Sequence, residues 1–209
     1  SAIPINEAMV IVPTGHDQGP EINAALKTHN VAILTPGEYT INTTVVMGDD
    51  TVILGLGIPV LKSTSFSNKI IKVTGDYVSL GGFIMQGMCT SSSDCIHGDP
   101  MLHISGDYAI AYDLYARVGD GKRNHGKKNN HYVNTMVHIT GNNGYLDNSW
   151  LWRPDHYEDQ SLVRDGSQTA QHSLVVEGDN WTTFGLAAEH TEDDVVVWAG
   201  KHGRVYFFQ

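Results

Sequence analysis

Residues 134–150, NTMVHITGNNGYLDNSW, and residues 172–186, HSLVVEGDNWTTFGL, lie on one another so that strand, glycine corner and strand coincide. Four further stretches take the same pattern: 42–57 NTTVVMGDDTVILGLG, 68–83 NKIIKVTGDYVSLGGF, 100–114 PMLHISGDYAIAYDL and 194–208 DVVVWAGKHGRVYFF. The corner glycines are Gly48, Gly75, Gly106, Gly141, Gly178 and Gly200, at intervals of 27, 31, 35, 37 and 22 residues. Self-similarity at this length is the signature of a stacked-repeat architecture.

The strand before each corner alternates. Val46, Val73, Ile104, Ile139, Val176 and Trp198 stand two residues ahead of the glycine, and Thr44, Ile71, Leu102, Val137, Leu174 and Val196 stand four ahead. That period of two predicts an inward apolar row in every unit. Between them sit Val45, Lys72, His103, His138, Val175 and Val197, so the opposite face is polar only in the middle rungs. Each corner then reads Gly-Asp, Gly-Asn or Gly-Lys, which predicts a glycine free to take positive φ beside a side chain that bonds local backbone. One unit cannot bury its own apolar row, whereas stacked units bury it between them.

No unit contains a 10–15-residue segment of helical period. The expectation is therefore an all-β right-handed parallel β-helix of about six to seven coils, one domain over 1–209, with inserts near 86–100, 119–131 and 157–171. A β-sandwich is the alternative, but its antiparallel strands give no reason for six in-phase glycine corners. Residues 19–28 predict a short capping helix, with Pro20 at its start and Ile22, Ala25 and Leu26 on one stripe.

Composition narrows the function. Of 209 residues, 13 are Lys or Arg and 23 are Asp or Glu, and the net charge of −10 argues against nucleic acid or an anionic membrane as partner. Apolar runs of only a few residues fall short of the roughly 18 a membrane-spanning helix needs. No secretion leader is visible at the N-terminus, as in an already processed chain. Cys89 and Cys95 flank a polar TSSSD turn and are read as a disulfide. Asn42 and Asn180 head the sequons Asn42-Thr43-Thr44 and Asn180-Trp181-Thr182 and are candidate glycosylation sites.

Residues 22–61, INAALKTHNVAILTPGEYTINTTVVMGDDTVILGLGIPVL, resemble the opening of the pectate-lyase-like β-helix superfamily, with its AINAAL-type helix and PGxY strand. The stretches 148–156 NSWLWRPDH and 172–209 are similar to secreted microbial β-helix proteins found beside discoidin-type modules. The resemblance implies a right-handed β-helix, an extracellular setting and a polysaccharide partner; it supplies no assigned activity.

Acids recur toward the ends of the units. Asp120, Asp155 and Glu189 are 35 and 34 residues apart, near the local repeat, and Arg117 and Arg153 are 36 apart. Carboxylates paired in this way are the apparatus of glycoside hydrolysis, one as acid and the other as base or nucleophile. Trp150, Trp152 and Tyr157, with Arg117, Arg153, His156 and His190, cluster beside them as sugar-binding candidates. Three readings stay open: catalysis, ligand binding without chemistry, or a polar network that only stacks rungs. A lyase would need Ca²⁺, for which Asp193 and Asp194 offer oxygen ligands without EF-type spacing; otherwise no cofactor is expected. HExxH and GxSxG are absent, and His103 and His138 read as neighbours on successive strands.

Lys122, Arg123, Lys127 and Lys128 form a basic island in the loop GDGKRNHGKKNNH. The last unit, Arg204 to Gln209, ends in an aromatic strand edge, for which the expectation is that either residues beyond Gln209 were removed or another subunit covers it. Two functions follow: a secreted carbohydrate-binding or carbohydrate-active protein, with hydrolase ahead of lyase, or a structural protein that self-associates head to tail into filaments.

Overall fold

The computed structural model describes residues 7–64, 69–88, 100–122, 131–163 and 167–209. In chain order the elements are β1 (Met9–Ile11), α1 (Gly19–His29), β2 (Val31–Leu34), β3 (Glu38–Thr40), β4 (Val45–Met47), β5 (Val52–Gly55), β6 (Val60–Ser63), β7 (Ile71–Val73) and β8 (Ser79–Gly87). There follow β9 (Leu102–Ile104), β10 (Ile110–Val118), β11 (His131–Ile139), β12 (Tyr145–Trp152), β13 (Gln168–Val176), β14 (Thr182–Glu189), β15 (Val196–Trp198) and β16 (Arg204–Phe208).

Every pairing between these strands is parallel. One sheet runs β1-β2-β5-β8-β10-β12-β14-β16, with β3 and β6 beside it, and the other runs β15-β13-β11-β9-β7-β4. Each glycine corner carries the chain from the second sheet to the first. Ile71, Leu102, Val137 and Leu174 stack in register, as do Val73, Ile104, Ile139 and Val176, and all are buried. The helix lays Ile22, Ala25 and Leu26 against the start of this core, and the Asn23 side chain bonds Val46 N–H and Thr44 C=O along the edge of β4.

Two sequence expectations are corrected here. In the first rung Met47, not Val46, pairs with Val73; Val45 and Met47 point inward while Val46 is 45% exposed, because that unit reaches its corner one residue sooner. The corner glycines also do not use positive φ. The left-handed residues stand two places later: Asp50, Tyr77, Tyr108, Asn143, Asn180 and His202. Glycine is required from the second corner onward because a Cβ there would overlap the backbone of the preceding corner, as at Gly141 against the Gly106 carbonyl.

The residue after each of these glycines links the coils. Asp49 Oδ1 accepts from Asp76 N–H at 2.9 Å, Asp76 from Asp107 at 2.8 Å, Asp107 from Asn142 at 2.7 Å, Asn142 from Asp179 at 2.9 Å, and Asp179 from Lys201 at 2.6 Å. Backbone donors that no strand pairs are thereby satisfied.

Candidate active site

The long strands of the first sheet each turn at a left-handed residue: Gly82 in β8, Asp113 in β10, Asn148 in β12 and Gly185 in β14. These positions fall level, and Asn148 Nδ2 donates to Asp113 Oδ1 at 2.6 Å. The kink resets the alternation. Beyond it Met85, Ala116, Leu151 and Ala188 are buried, while two rows of side chains take the opposite face, of which Gln86 is itself buried. The pairing sets Ile84, Tyr115, Trp150 and Ala187 in one row and Gln86, Arg117, Trp152 and Glu189 in the next.

Trp150 and Trp152, two apart on β12, therefore share a face, with ring centroids 5.3 Å apart and planes 27° from parallel. Trp150 is 44% exposed. With Ile58, Ile84, Tyr115 and Arg117 the two rings line a groove of about 380 Å³. Arg117 is held in that wall by Gln86, whose Oε1 accepts from Nη2 at 2.7 Å and Nε at 3.3 Å. Glu189 closes the row, and its Oε2 accepts the Trp150 indole N–H at 2.9 Å.

Next to Trp152 the chain leaves the sheet. The His156 ring lies 5.6 Å from that of Trp152, and His156 Nδ1 is 2.7 Å from Asp155 Oδ1. Asp155 Oδ2 lies 3.6 Å from His190 Nε2 on the next coil. Desolvation works to raise the Asp155 pKa, but the His156 hydrogen bond and the nearby His190 outweigh it and hold the carboxyl below its ordinary value. This corner thus carries one carboxylate bridged by imidazoles and a second, Glu189, one strand end away.

The acids do not form a single ladder. Glu189 registers with Trp152 and Arg117, three residues ahead of Asp155 and Asp120 in their own units. Arg153 falls one place beyond the Arg117 row; its backbone N–H bonds Glu189 C=O, and its Nε is buried without a partner among the described residues. Asp120 accepts the Lys122 backbone N–H at 2.9 Å and lies near His131, whose burial lowers its pKa while Asp120 opposes the shift. Tyr157 is a correction. Only 4% exposed, with its hydroxyl 2.6 Å from Ser167 Oγ, it offers no ring face to a sugar.

Asn42 Oδ1 accepts from Thr64, and Asn180 Nδ2 donates to Asn143 on the neighbouring corner. His103 and His138 stack at 5.2 Å, and His138 Nε2 lies 3.1 Å from Glu177 Oε2. Asp193 and Asp194 are exposed, and among the described residues no group of three or more His, Cys, Asp or Glu is placed to hold a metal ion. Cys89, Cys95, Arg123, Lys127 and Lys128 lie outside the described residues.

Sequence reasoning missed Gln86, Tyr115 and Ile84. The signal was available: Gln86, Arg117, Trp152 and Glu189 each stand 11 residues after their own corner glycine. Counting from acid to acid across loops of unequal length loses that phase.

A family model of the LAM55 pectate lyase-like domain matches residues 10–209. The chain belongs to that family. An exo-beta-1,3-glucanase of Streptomyces sp. (strain SirexAA-E / ActE) is 26% identical over 216 residues, covering 100% of this chain and 33% of that protein. The structure of sacteLam55A from Streptomyces sp. SirexAA-E matches with a TM-score of 0.81 at 25% identity, over 99% of this chain and 36% of that one. A variant of sacteLam55A in complex with glucose matches in fold, with a TM-score of 0.76 at 23% identity, over 97% of this chain and 34% of that one. This LAM55 pectate-lyase-like chain spans about a third of the length of these relatives.

Proposed function

We propose that this domain is carbohydrate-active and of glycoside-hydrolase type, and that it takes a β-1,3-linked glucan along the groove at Trp150 and Trp152. One observation carries the reading: two stacked, outward tryptophans share a groove with a fixed guanidinium and have a carboxylate hydrogen-bonded to one of them. Pyranose rings present C–H faces that pack on indole, and their hydroxyls pair with guanidinium and carboxylate. The match of the whole chain to a protein named as an exo-beta-1,3-glucanase supports glucan as the substrate class.

Glycoside hydrolysis needs a proton donor for the leaving oxygen and a second carboxylate as base or nucleophile. Asp155, whose pKa His156 and His190 hold below its ordinary value, suits the second role, and Glu189, bonded to Trp150 of the groove wall, suits the first. Asp120 sits apart from the groove and takes neither. The same reading includes a right-handed winding, the hand parallel crossovers adopt almost without exception, and α1 as the cover of the N-terminal end. A polymeric glucan is met outside the cell, so the reading also places the protein there.

Calorimetric titration with β-1,3-gluco-oligosaccharides, alongside reducing-sugar release from an insoluble β-1,3-glucan, tests it. Trp150→Ala should weaken binding at least roughly tenfold, as expected for loss of a stacked aromatic contact. Glu189→Gln and Asp155→Asn should each cut sugar release by roughly a hundredfold or more while the protein stays folded. Absence of binding to any β-glucan by the unaltered protein overturns the proposal.

A further inference from the structure

Trp150 is the most exposed ring of the groove, yet its one polar atom is already committed. Its indole N–H donates to Glu189 Oε2 at 2.9 Å, across the step from β12 to β14. Strand pairing alone does not produce this contact, since the residue level with Trp150 on β14 is Ala187 and Glu189 is level with Trp152. Ala187, level with Trp150, is small and offers the indole no polar partner, and the N–H instead meets a carboxylate two residues further along. Trp152 is the other ring against Trp150, with 5.3 Å between centroids.

We infer that Trp150 is a positioning residue for Glu189 as well as a surface for sugar, so that a saccharide stacked on the indole holds the carboxylate in one orientation. The inference rests on the groove being the saccharide site, as proposed above. A carboxylate has two oxygens and several acceptor directions, and a long Glu side chain on an outer face has many rotamers. One indole N–H on Oε2 removes most of that freedom and leaves Oε1 free of that bond. A ring pressed by a sugar cannot swing away, so occupancy and carboxylate orientation become one event. Loss of the N–H with the ring kept would therefore damage turnover more than affinity, whereas loss of the ring would damage both.

The variant that separates the two roles is Trp150→Phe, which keeps an aromatic face and has no N–H. Steady-state hydrolysis of a β-1,3-gluco-oligosaccharide should show kcat lowered roughly tenfold with KM within about threefold of the unaltered protein, the size expected for loss of one hydrogen bond. Trp150→Ala should raise KM as well. In a Glu189→Gln background, Trp150→Phe should add little further loss, because the group it positions is already disabled.

A sugar-independent readout accompanies this. The Trp150 indole proton resonance, assigned by its disappearance in Trp150→Phe, should lie downfield and move on Glu189→Gln. An indole resonance unmoved by Glu189→Gln overturns the inference whatever the protein does to glucan. So does a Trp150→Phe protein that keeps full kcat and loses only affinity. A protein that neither binds nor cleaves any glucan overturns the proposed function instead, while a resonance that still moves leaves the indole–carboxylate pair standing as a structural contact alone and removes its link to sugar.

Discussion

Asp107→Ala is the substitution that best tests how the coils are tied together. Asp107 stands one residue past the Gly106 corner, where its Oδ1 accepts from Asn142 N–H at 2.7 Å and from Asn142 Nδ2 at 3.1 Å. Its own N–H donates to Asp76 at 2.8 Å and survives the change. Two hydrogen bonds to an ionised acceptor are lost. In a buried setting such bonds are worth about 1.5–3 kcal/mol each, but this corner is open enough for water to replace part of them, so a loss of about 1–2 kcal/mol is expected. For a chain of this size that is a fall in Tm of roughly 2–8 °C.

Asp107→Asn is the matched control. It keeps an acceptor oxygen in the same place, and the chain itself uses Asn142 in this role one corner further on, where Asn142 Oδ1 accepts from Asp179 at 2.9 Å. Urea unfolding followed by circular dichroism should place Asp107→Asn near the unaltered protein and Asp107→Ala clearly below both, with unchanged m-values. Equal damage by the two substitutions, or a loss below about 0.3 kcal/mol in Asp107→Ala, would refute the claim that the corner ladder stabilises the stack.

Gly141→Ala should be much worse than Gly48→Ala. The new methyl at 141 meets the Gly106 carbonyl and Ser105 backbone, with no flexible side chain to yield, so a cost of about 3 kcal/mol or more is expected; at 48 nothing lies within 4 Å and thermal melts should barely move. Acid should weaken the start of the solenoid through Asp17. Desolvation works to raise its pKa, but bonds from Thr43 Oγ1 and the N–H groups of Asn42, Thr43 and Gly19 outweigh that and hold it below the ordinary value. Its contribution is therefore complete above the unfolded pKa and disappears as pH falls through the lower folded one. Urea midpoints measured from about pH 6 down to about pH 2 should fall less steeply in Asp17→Asn, and identical slopes would remove Asp17 from the account.

Much of the architecture was legible because each unit carries its own instructions. Ile71, Leu102, Val137 and Leu174 declare an inward row by alternation alone, and six glycines mark where one sheet passes to the other. The first rung was misplaced by one residue, since Met47 rather than Val46 completes the row and periodicity in a three-residue strand cannot settle phase. The site was legible in part. Trp150, Trp152, Arg117 and Glu189 stand out by residue type, but their mutual placement does not, and nothing in the sequence around Tyr157 reveals its burial against Ser167.

Local chemistry in the chain is sufficient for strands, corners and a stacked repeat, because alternation and a glycine at a close backbone approach act within one coil and its neighbour. The groove needed the tertiary structure. Strands from four coils converge at residues separated by loops of different length, and a kink at Asp113 and Asn148 decides which side chains turn outward beyond it. Hydrogen bonds such as Trp150 to Glu189 cross the register diagonally, so only the folded stack determines them.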